Sequence, residues 1–197
     1  MYFFIFLIIV LFVIIVIFSF PQFSPIPYFP SNGKDIQIIL EALHIRKNQT
    51  IIDLGAGDGV VILHAASNAY EKKLNTQFIA VEINPVLLCI LHIRRLLHPN
   101  RSNIQIINAN MFSMDYAPLT TNRQPPYSAI APRGRPITFY IYISPWFIDK
   151  TIVNITRQMK IFELVSYFYQ VKCLPNYQEK KEEGIHAVFS YQPPNSF

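Results

Sequence analysis

Charge is what this 197-residue chain lacks first: no Asp, Glu, Lys or Arg occurs before Lys34, and charged residues make up only 15% of the whole. Cysteine is nearly absent. The two that occur, Cys89 and Cys173, lie far apart without C-x-x-C spacing, which excludes a disulfide framework and a thiolate metal cluster. Both are expected reduced and buried, and no metal is expected. Glycine is scarce as well, with six in the chain, three of them at Gly55, Gly57 and Gly59. The N-terminal segment has no basic residue and no small-residue cleavage site after a short apolar run, which speaks against a cleavable signal peptide. Internal repeats are missing.

What fills the uncharged leader is grease. From Tyr2 to Phe20 every residue except Ser19 is apolar or aromatic, and a membrane-spanning helix needs roughly 17 to 25 such residues. Residues 1–20 therefore read as an uncleaved transmembrane anchor that inserts into the membrane through residues 2–20. The net charge of +5 falls wholly after it. That excess places the following domain on the cytoplasmic or matrix side by the positive-inside tendency. Arg94, Arg95, Arg101, Arg123, Arg133 and Arg135 could favour an anionic membrane surface or acidic partner. The remaining length suits one domain, and a second catalytic domain is not expected.

Pro21, Pro25, Pro27 and Pro30 forbid continuation of the anchor helix, so residues 21–33 read as an extended connector. Residues 34–197 form the domain. Ile36, Ile39, Leu40 and Leu43 give one apolar stripe on a helix over 34–44. Strands are expected at 50–54, 77–82, 104–108, 137–143, 162–169 and 185–191, with helices at 60–70, from Pro85 to about 98, and at 146–160. Asn84 precedes Pro85 and is placed to cap that helix. Strands alternating with helices imply an α/β domain with a parallel sheet. Residues 116–136 carry five prolines and three arginines with little periodicity, an irregular loop that is either a lid or an insertion.

A parallel sheet binds ligands at the carboxyl ends of its strands, and the first strand ends in Asp53-Leu54-Gly55-Ala56-Gly57-Asp58-Gly59 before a helix. Glu82 ends the second strand, 25 positions beyond Gly57, where an acidic side chain can accept ribose hydroxyls. The spacing is G-x-G-x-G, not the G-x-G-x-x-G that seats a pyrophosphate on a helix N-terminus. Asp53 and Asp58 would repel a diphosphate and suit a ligand with a sulfonium and an ammonium group. The pattern favours S-adenosylmethionine over NAD.

The stretches Asp53–Gly59 and Val81-Glu82 resemble the first and second motifs of class I methyltransferases. A narrower resemblance runs through Pro27-Tyr28-Phe29-Pro30-Ser31 and Glu82-Ile83-Asn84-Pro85, which are similar to the P-Y-x-P-[ST] and E-x-N-P motifs of a protein-lysine methyltransferase family. That family includes the ATP synthase c-subunit lysine methyltransferase and archaeal relatives, and its members often carry a hydrophobic N-terminal segment. The resemblance implies a Rossmann-like sheet, mostly parallel, with helices on both faces and an antiparallel last strand. It implies S-adenosylmethionine bound by Tyr28, Asp53, Gly55, Ala56, Gly57, Asp58, Gly59, Glu82 and Asn110, and a substrate pocket at Ser144, Pro145 and Trp146. Two departures stand out: Asn110-Met111-Phe112 replaces a motif that usually begins with an acid, and Ser144-Pro145-Trp146 is not an N-P-P-Y type motif. Asn110 can still accept from an adenine amino group.

Methyl transfer from a sulfonium needs alignment and dryness more than a catalytic triad. A lysine acceptor must shed a proton, which an aromatic pocket assists by disfavouring its charged form. Tyr28, Tyr140, Tyr142, Trp146 and Tyr167 are candidates for that pocket. Tyr28 and Trp146 lead, while Tyr140 and Tyr142 read better as sheet core. His44, His64, His92 and His98 lie on or beside helices and suggest no general base. A lysine of a membrane-associated protein is the expected acceptor, and no nucleic acid is expected as partner. A lipid or quinone acceptor, a binding protein without turnover and a nicotinamide-dependent oxidoreductase are the rivals.

Overall fold

In the computed structural model, residues 2–19, 26–116 and 136–194 are described. The first element, α1 (Tyr2–Ser19), is an 18-residue helix with no buried residue. At 1.5 Å per residue it is about 27 Å long, close to the ~30 Å of a bilayer's hydrocarbon. It is long and apolar enough to cross a membrane.

The domain is one seven-stranded sheet. Its strands are β1 (Thr50–Leu54), β2 (Gln77–Glu82), β3 (Ile104–Asn108), β4 (Ile137–Ile141), β5 (Glu163–Tyr167), β6 (Gln178–Glu183) and β7 (Ala187–Gln192), in the order β3-β2-β1-β4-β5-β7-β6. The first five are parallel, and β7 runs antiparallel to both β5 and β6. The helices are α2 (Ile36–Ala42), α3 (Val60–Glu71), α4 (Pro85–Leu96) and α5 (Pro145–Gln158).

Strands covered on both faces need apolar residues at every position rather than alternate ones. β1 and β4 are accordingly buried along their whole length. On one face Ile52, Leu54, Phe139, Ile141 and Leu164 pack on Ile148, Ile152 and Ile155 of α5. On the other, Ile51, Phe78, Ala80, Tyr140 and Val165 meet Ile39 of α2, Ala65, Ala66 and Ala69 of α3 and Leu91 of α4.

Several sequence expectations shift. The helix expected over 34–44 begins as a 3-10 turn, Gly33–Asp35, before the seven residues of α2. β6 was not anticipated, because Gln-Glu-Lys-Lys-Glu-Glu shows no apolar alternation. Its charges instead protect an open sheet edge, with Lys180 paired to Glu182 at 2.6 Å and Lys181 to Glu183 at 2.8 Å. The cysteines are free but not both buried, since Cys89 is exposed on α4 and Cys173 half-buried. Arg94 and Arg95 are not free surface charge: Arg95 donates to the Ile104 carbonyl at 2.6 Å, and Arg94 is held by Asp58. Most of the loop at 116–136 and part of the connector lie outside the described residues.

The amino-terminal edge of the sheet is closed by a polar chain. Gln49 Nε2 donates to Thr138 Oγ1 at 2.7 Å, Thr138 donates to Glu163 Oε2 at 2.8 Å, and Arg46 pairs with Glu163 at 2.5 Å. Gln49 and Thr138 are fully buried. Thr138→Val should therefore cost about 1–3 kcal/mol, because it removes the acceptor of one buried Gln49 amide hydrogen and the hydroxyl donor to Glu163 together. Urea unfolding of the full-length protein in detergent checks this against Thr138→Ser, expected near wild type.

Candidate functional site

β1 and β2 end side by side, and the chain leaves β1 through a loop that turns back over β2. Gly55 and Ala56 both donate to the Val81 carbonyl, at 2.9 and 3.0 Å. Gly57 then sits at φ +59°, and a Cβ there would lie 2.7 Å from Cε2 of the Tyr28 ring. Only glycine combines that left-handed backbone with so close an aromatic neighbour. Gly59, also left-handed, is the N-cap of α3.

Glu82 is buried at the tip of β2 and spans this loop. Its Oε2 accepts the Gly57 N–H at 2.8 Å, and its Oε1 accepts those of Ile83 and Asn84 at 2.8 and 2.9 Å. A carboxylate offers about four lone-pair sites. One acceptor position on Oε2 thus remains for a ligand. Asn84 caps α4 as its spacing before Pro85 implied, its Oδ1 accepting from Val86 at 2.9 Å.

Asp53 lies inside, 3% exposed, on the same crevice. Burial, then the nearby Glu82 and Asp58 carboxylates, push its pKa up to about 8. Among the described residues no basic side chain pairs with Asp53 or Glu82. Asp58 is different: Arg94 Nη1 donates to its Oδ2 at 2.6 Å and to its carbonyl at 2.7 Å. The charge argument drawn from the sequence therefore rests on Asp53 and Glu82, with Asp58 neutralised by a partner 36 residues away. Sequence spacing gave no signal for Arg94.

Two adjoining clefts open at this point and share Tyr28, Phe29, Gly55, Gly57 and Tyr142. The first continues past Glu82, Ile83, Leu87 and Met111, and the second over Asp53, Ala56, Asp58 and Tyr140. The connector forms their outer wall. Ser31 Oγ is 2.9 Å from Tyr140 Oη, and the Asn32 N–H donates to Tyr167 Oη at 3.4 Å. Tyr28 keeps its phenolic proton, its acidity weakened to about 12 by burial and by Asp58 beside it.

The other expected site residues divide. Asn110 stands next to the cleft wall, where Met111 contributes the lining, and its Oδ1 accepts the Phe112 N–H at 3.0 Å. Ser144, Pro145 and Trp146 start α5 after β4 and line neither cleft, with Trp146 87% exposed. Tyr142 lines both clefts, against its reading as sheet core, while Tyr140 is sheet core as expected, 2% exposed, and touches one cleft. Beyond Tyr142 lies a polar cluster of Tyr167, a pocket candidate, with Asp35 and His186, which carry no signal in sequence. Asp35 accepts from Tyr167 Oη at 2.7 Å and from the backbone N–H groups of Ile185 and His186 at 2.7 and 3.0 Å. Burial opposes its ionisation, yet these bonds together hold its pKa below the usual carboxylate value. His186 follows Gly184 in the last hairpin, and only the folded chain brings it to Asp35.

No protein-family model matches the chain. Over 85 residues, 43% of its length, it is 35% identical to a protein of Methanosphaera stadtmanae described as "Probable ribosomal RNA small subunit methyltransferase A". The match spans 29% of that relative. Among solved structures, an RNA methyltransferase from Salinibacter ruber in complex with S-adenosyl-L-homocysteine superposes with a TM-score of 0.63 at 17% identity, over 86% of this chain and 96% of that one. The precorrin-6y C5,15-methyltransferase of Geobacter metallireducens aligns over 83% of this chain and 90% of its own, with a TM-score of 0.54 at 15% identity. The 23S rRNA methyltransferase ErmE gives 0.56 at 15% identity, over 86% and 73%. With its β3-β2-β1-β4-β5-β7-β6 order and antiparallel β7, the domain has the Rossmann-like fold of class I methyltransferases.

Proposed function

We propose that the chain is an S-adenosylmethionine-dependent methyltransferase, held on a membrane by α1, that methylates a lysine side chain of a membrane-associated protein. The observation that carries the cofactor reading is the pair of carboxylates Asp53 and Glu82, facing a glycine-floored crevice without a basic partner among the described residues. Such a site disfavours a diphosphate and favours a cation.

The residues present fit that cofactor. Glu82 keeps an acceptor site for a ribose hydroxyl, the backbone of Gly55–Gly59 allows close approach, and Ile83, Leu87 and Met111 offer an apolar slot for a flat ring beside Asn110. When bound, the cofactor supplies an electrophilic methyl group on a neutral leaving sulfur. The chain's own part is to place the acceptor in line and keep water away. Tyr28 and Phe29 cover the crevice from the connector, and Tyr142 closes its far side. Ser144, Pro145 and Trp146, following β4, are the proposed approach for the acceptor.

Two observations support a membrane-bound acceptor. Ile26 lines the crevice only seven residues after Ser19, and seven extended residues reach at most about 25 Å. The crevice is thereby confined near the end of α1. Phe29, Trp146, Phe168 and Ile185, which are 67%, 87%, 40% and 55% exposed, stand on segments at the carboxyl edge of the sheet and give its rim an apolar character suited to a lipid surface. Lysine as the acceptor rests on the Pro27–Ser31 and Glu82–Pro85 motifs. An RNA acceptor is the second reading, favoured by the similarity to a ribosomal RNA methyltransferase.

Calorimetry on the full-length protein in detergent should show S-adenosylmethionine binding and none for NAD. Gly57→Arg, which meets both the left-handed backbone and the Tyr28 ring, should raise Kd about 5- to 150-fold, the equivalent of ~1–3 kcal/mol of strain carried by the bound conformation. NAD binding with no S-adenosylmethionine binding would end this reading. With labelled cofactor and a membrane fraction, label should appear in a protein band as methyl-lysine; label in lipid, or in RNase-sensitive material, would replace lysine with that acceptor.

The raised pKa of Asp53 predicts a linked proton. A cation beside it favours the carboxylate, so binding at pH 7 should release a proton, and affinity should rise with pH up to about 8 and then level off. Calorimetry in buffers of differing ionisation heat measures that release, which Asp53→Asn should abolish.

A further inference from the structure

We infer that His186 is the proton acceptor for the methyl-accepting group, held in place by Asp35 and Tyr167. The inference rests on the methyltransferase reading and names the chemistry of its acceptor: a nitrogen or oxygen that carries a proton which must leave as the methyl arrives.

The placement comes from the sheet. In the β4–β5 register Ile141 stands opposite Ser166, so Tyr142 continues the row beside Tyr167, and Tyr167 stands opposite Val188 of β7. The hairpin Gly184-Ile185-His186 thus sits at the same carboxyl edge as the crevice, two strand spacings or about 10 Å from Tyr142. One aromatic contact links them: the Tyr142 ring, which lines the crevice, meets Tyr167 edge-on with centroids 4.8 Å apart.

The arrangement around the imidazole is that of an oriented base. His186 Nδ1 lies 2.8 Å from Tyr167 Oη and 3.3 Å from Asp35 Oδ2. A carboxylate and a hydroxyl on one ring nitrogen set the tautomer and leave the other for a substrate. Nε2 has no hydrogen-bond partner among the described residues, and the side chain is 32% exposed while Asp35 is 1% exposed. Asp35 is itself locked by the hairpin backbone, and a Cβ on Gly184 would collide with its Oδ1. The titratable groups against the ring are Asp35, ahead of α2, and Tyr167, on β5; Tyr142 stands behind Tyr167.

Phe168 adds an independent sign of function. It holds φ +74°, a conformation costly for a bulky side chain, and packs its ring on His186 at 4.7 Å. Strain of this kind persists where the surroundings impose it and gathers at working sites. It gives the imidazole an apolar wall at the carboxyl edge of the sheet.

The acceptor heteroatom gives its proton to His186 Nε2, its freed lone pair forms the bond to the methyl carbon, and the carbon–sulfur bond breaks with its electron pair passing to sulfur. The products are a methylated acceptor, a neutral thioether and an imidazolium stabilised by Asp35. Asp35 and Tyr167 act as positioning residues.

The test uses full-length protein in detergent, labelled S-adenosylmethionine and a membrane fraction as acceptor. His186→Ala should bind cofactor with wild-type affinity by calorimetry, lose about 100-fold in turnover, lack the acid limb of the wild-type rate profile, and recover turnover when imidazole is added. Tyr167→Phe should keep most activity but shift that limb. Amino-acid analysis of the labelled product separates a lysine from a hydroxyl acceptor. Unchanged turnover and profile in His186→Ala would overturn the inference, as would joint loss of binding and turnover without imidazole rescue. A wild-type protein that binds no cofactor defeats the underlying reading instead, and is recognised by that result alone.

Discussion

The carboxylate of Glu82 joins what the rest of the site needs joined. It gathers the N–H of Gly57 from the loop after β1 and those of Ile83 and Asn84 from the start of α4. A buried carboxylate is costly unless donors surround it. Here three backbone donors do so, and the same bonds fix the loop conformation that holds Gly57 under the Tyr28 ring. Without Glu82 the Gly57 N–H loses its acceptor, and the crevice loses its floor and one of its two unpaired carboxyl groups.

The connector contributes a second constraint. Tyr28 covers Gly57, Ser31 meets Tyr140 and Asn32 meets Tyr167, so the segment that follows α1 is also a wall of the site. Asp35 completes the closure at its far end by binding the last hairpin. The path from α1 to the crevice is covalently short, and a proposed membrane tether and the proposed chemistry share the same dozen residues.

Much of the architecture was legible because the parallel strands are buried on both faces and therefore read as unbroken apolar runs. Thr50–Leu54 and Gln77–Glu82 were bounded correctly for that reason, and Asn84-Pro85 announced its helix by local chemistry. β6 was invisible, since an exposed edge strand made of Gln, Glu and Lys has no pattern to distinguish it from a loop. At the site, Gly57 and Glu82 were legible from spacing across one β-α-β unit. Tyr142 was a pocket candidate that read better as sheet core, and the partner Arg94 had no signal in spacing.

The amino-acid sequence by itself determined the apolar helix at the N-terminus, the glycine turn after β1 and the acid after β2, because each depends on residues close together in the chain. Tertiary structure decided which charges stay active and which are cancelled. Arg94 silences Asp58 across 36 residues, and Asp35 meets His186 across 151. Electrostatic strength depends on distance and burial, and both are set by packing between elements that no local spacing reveals.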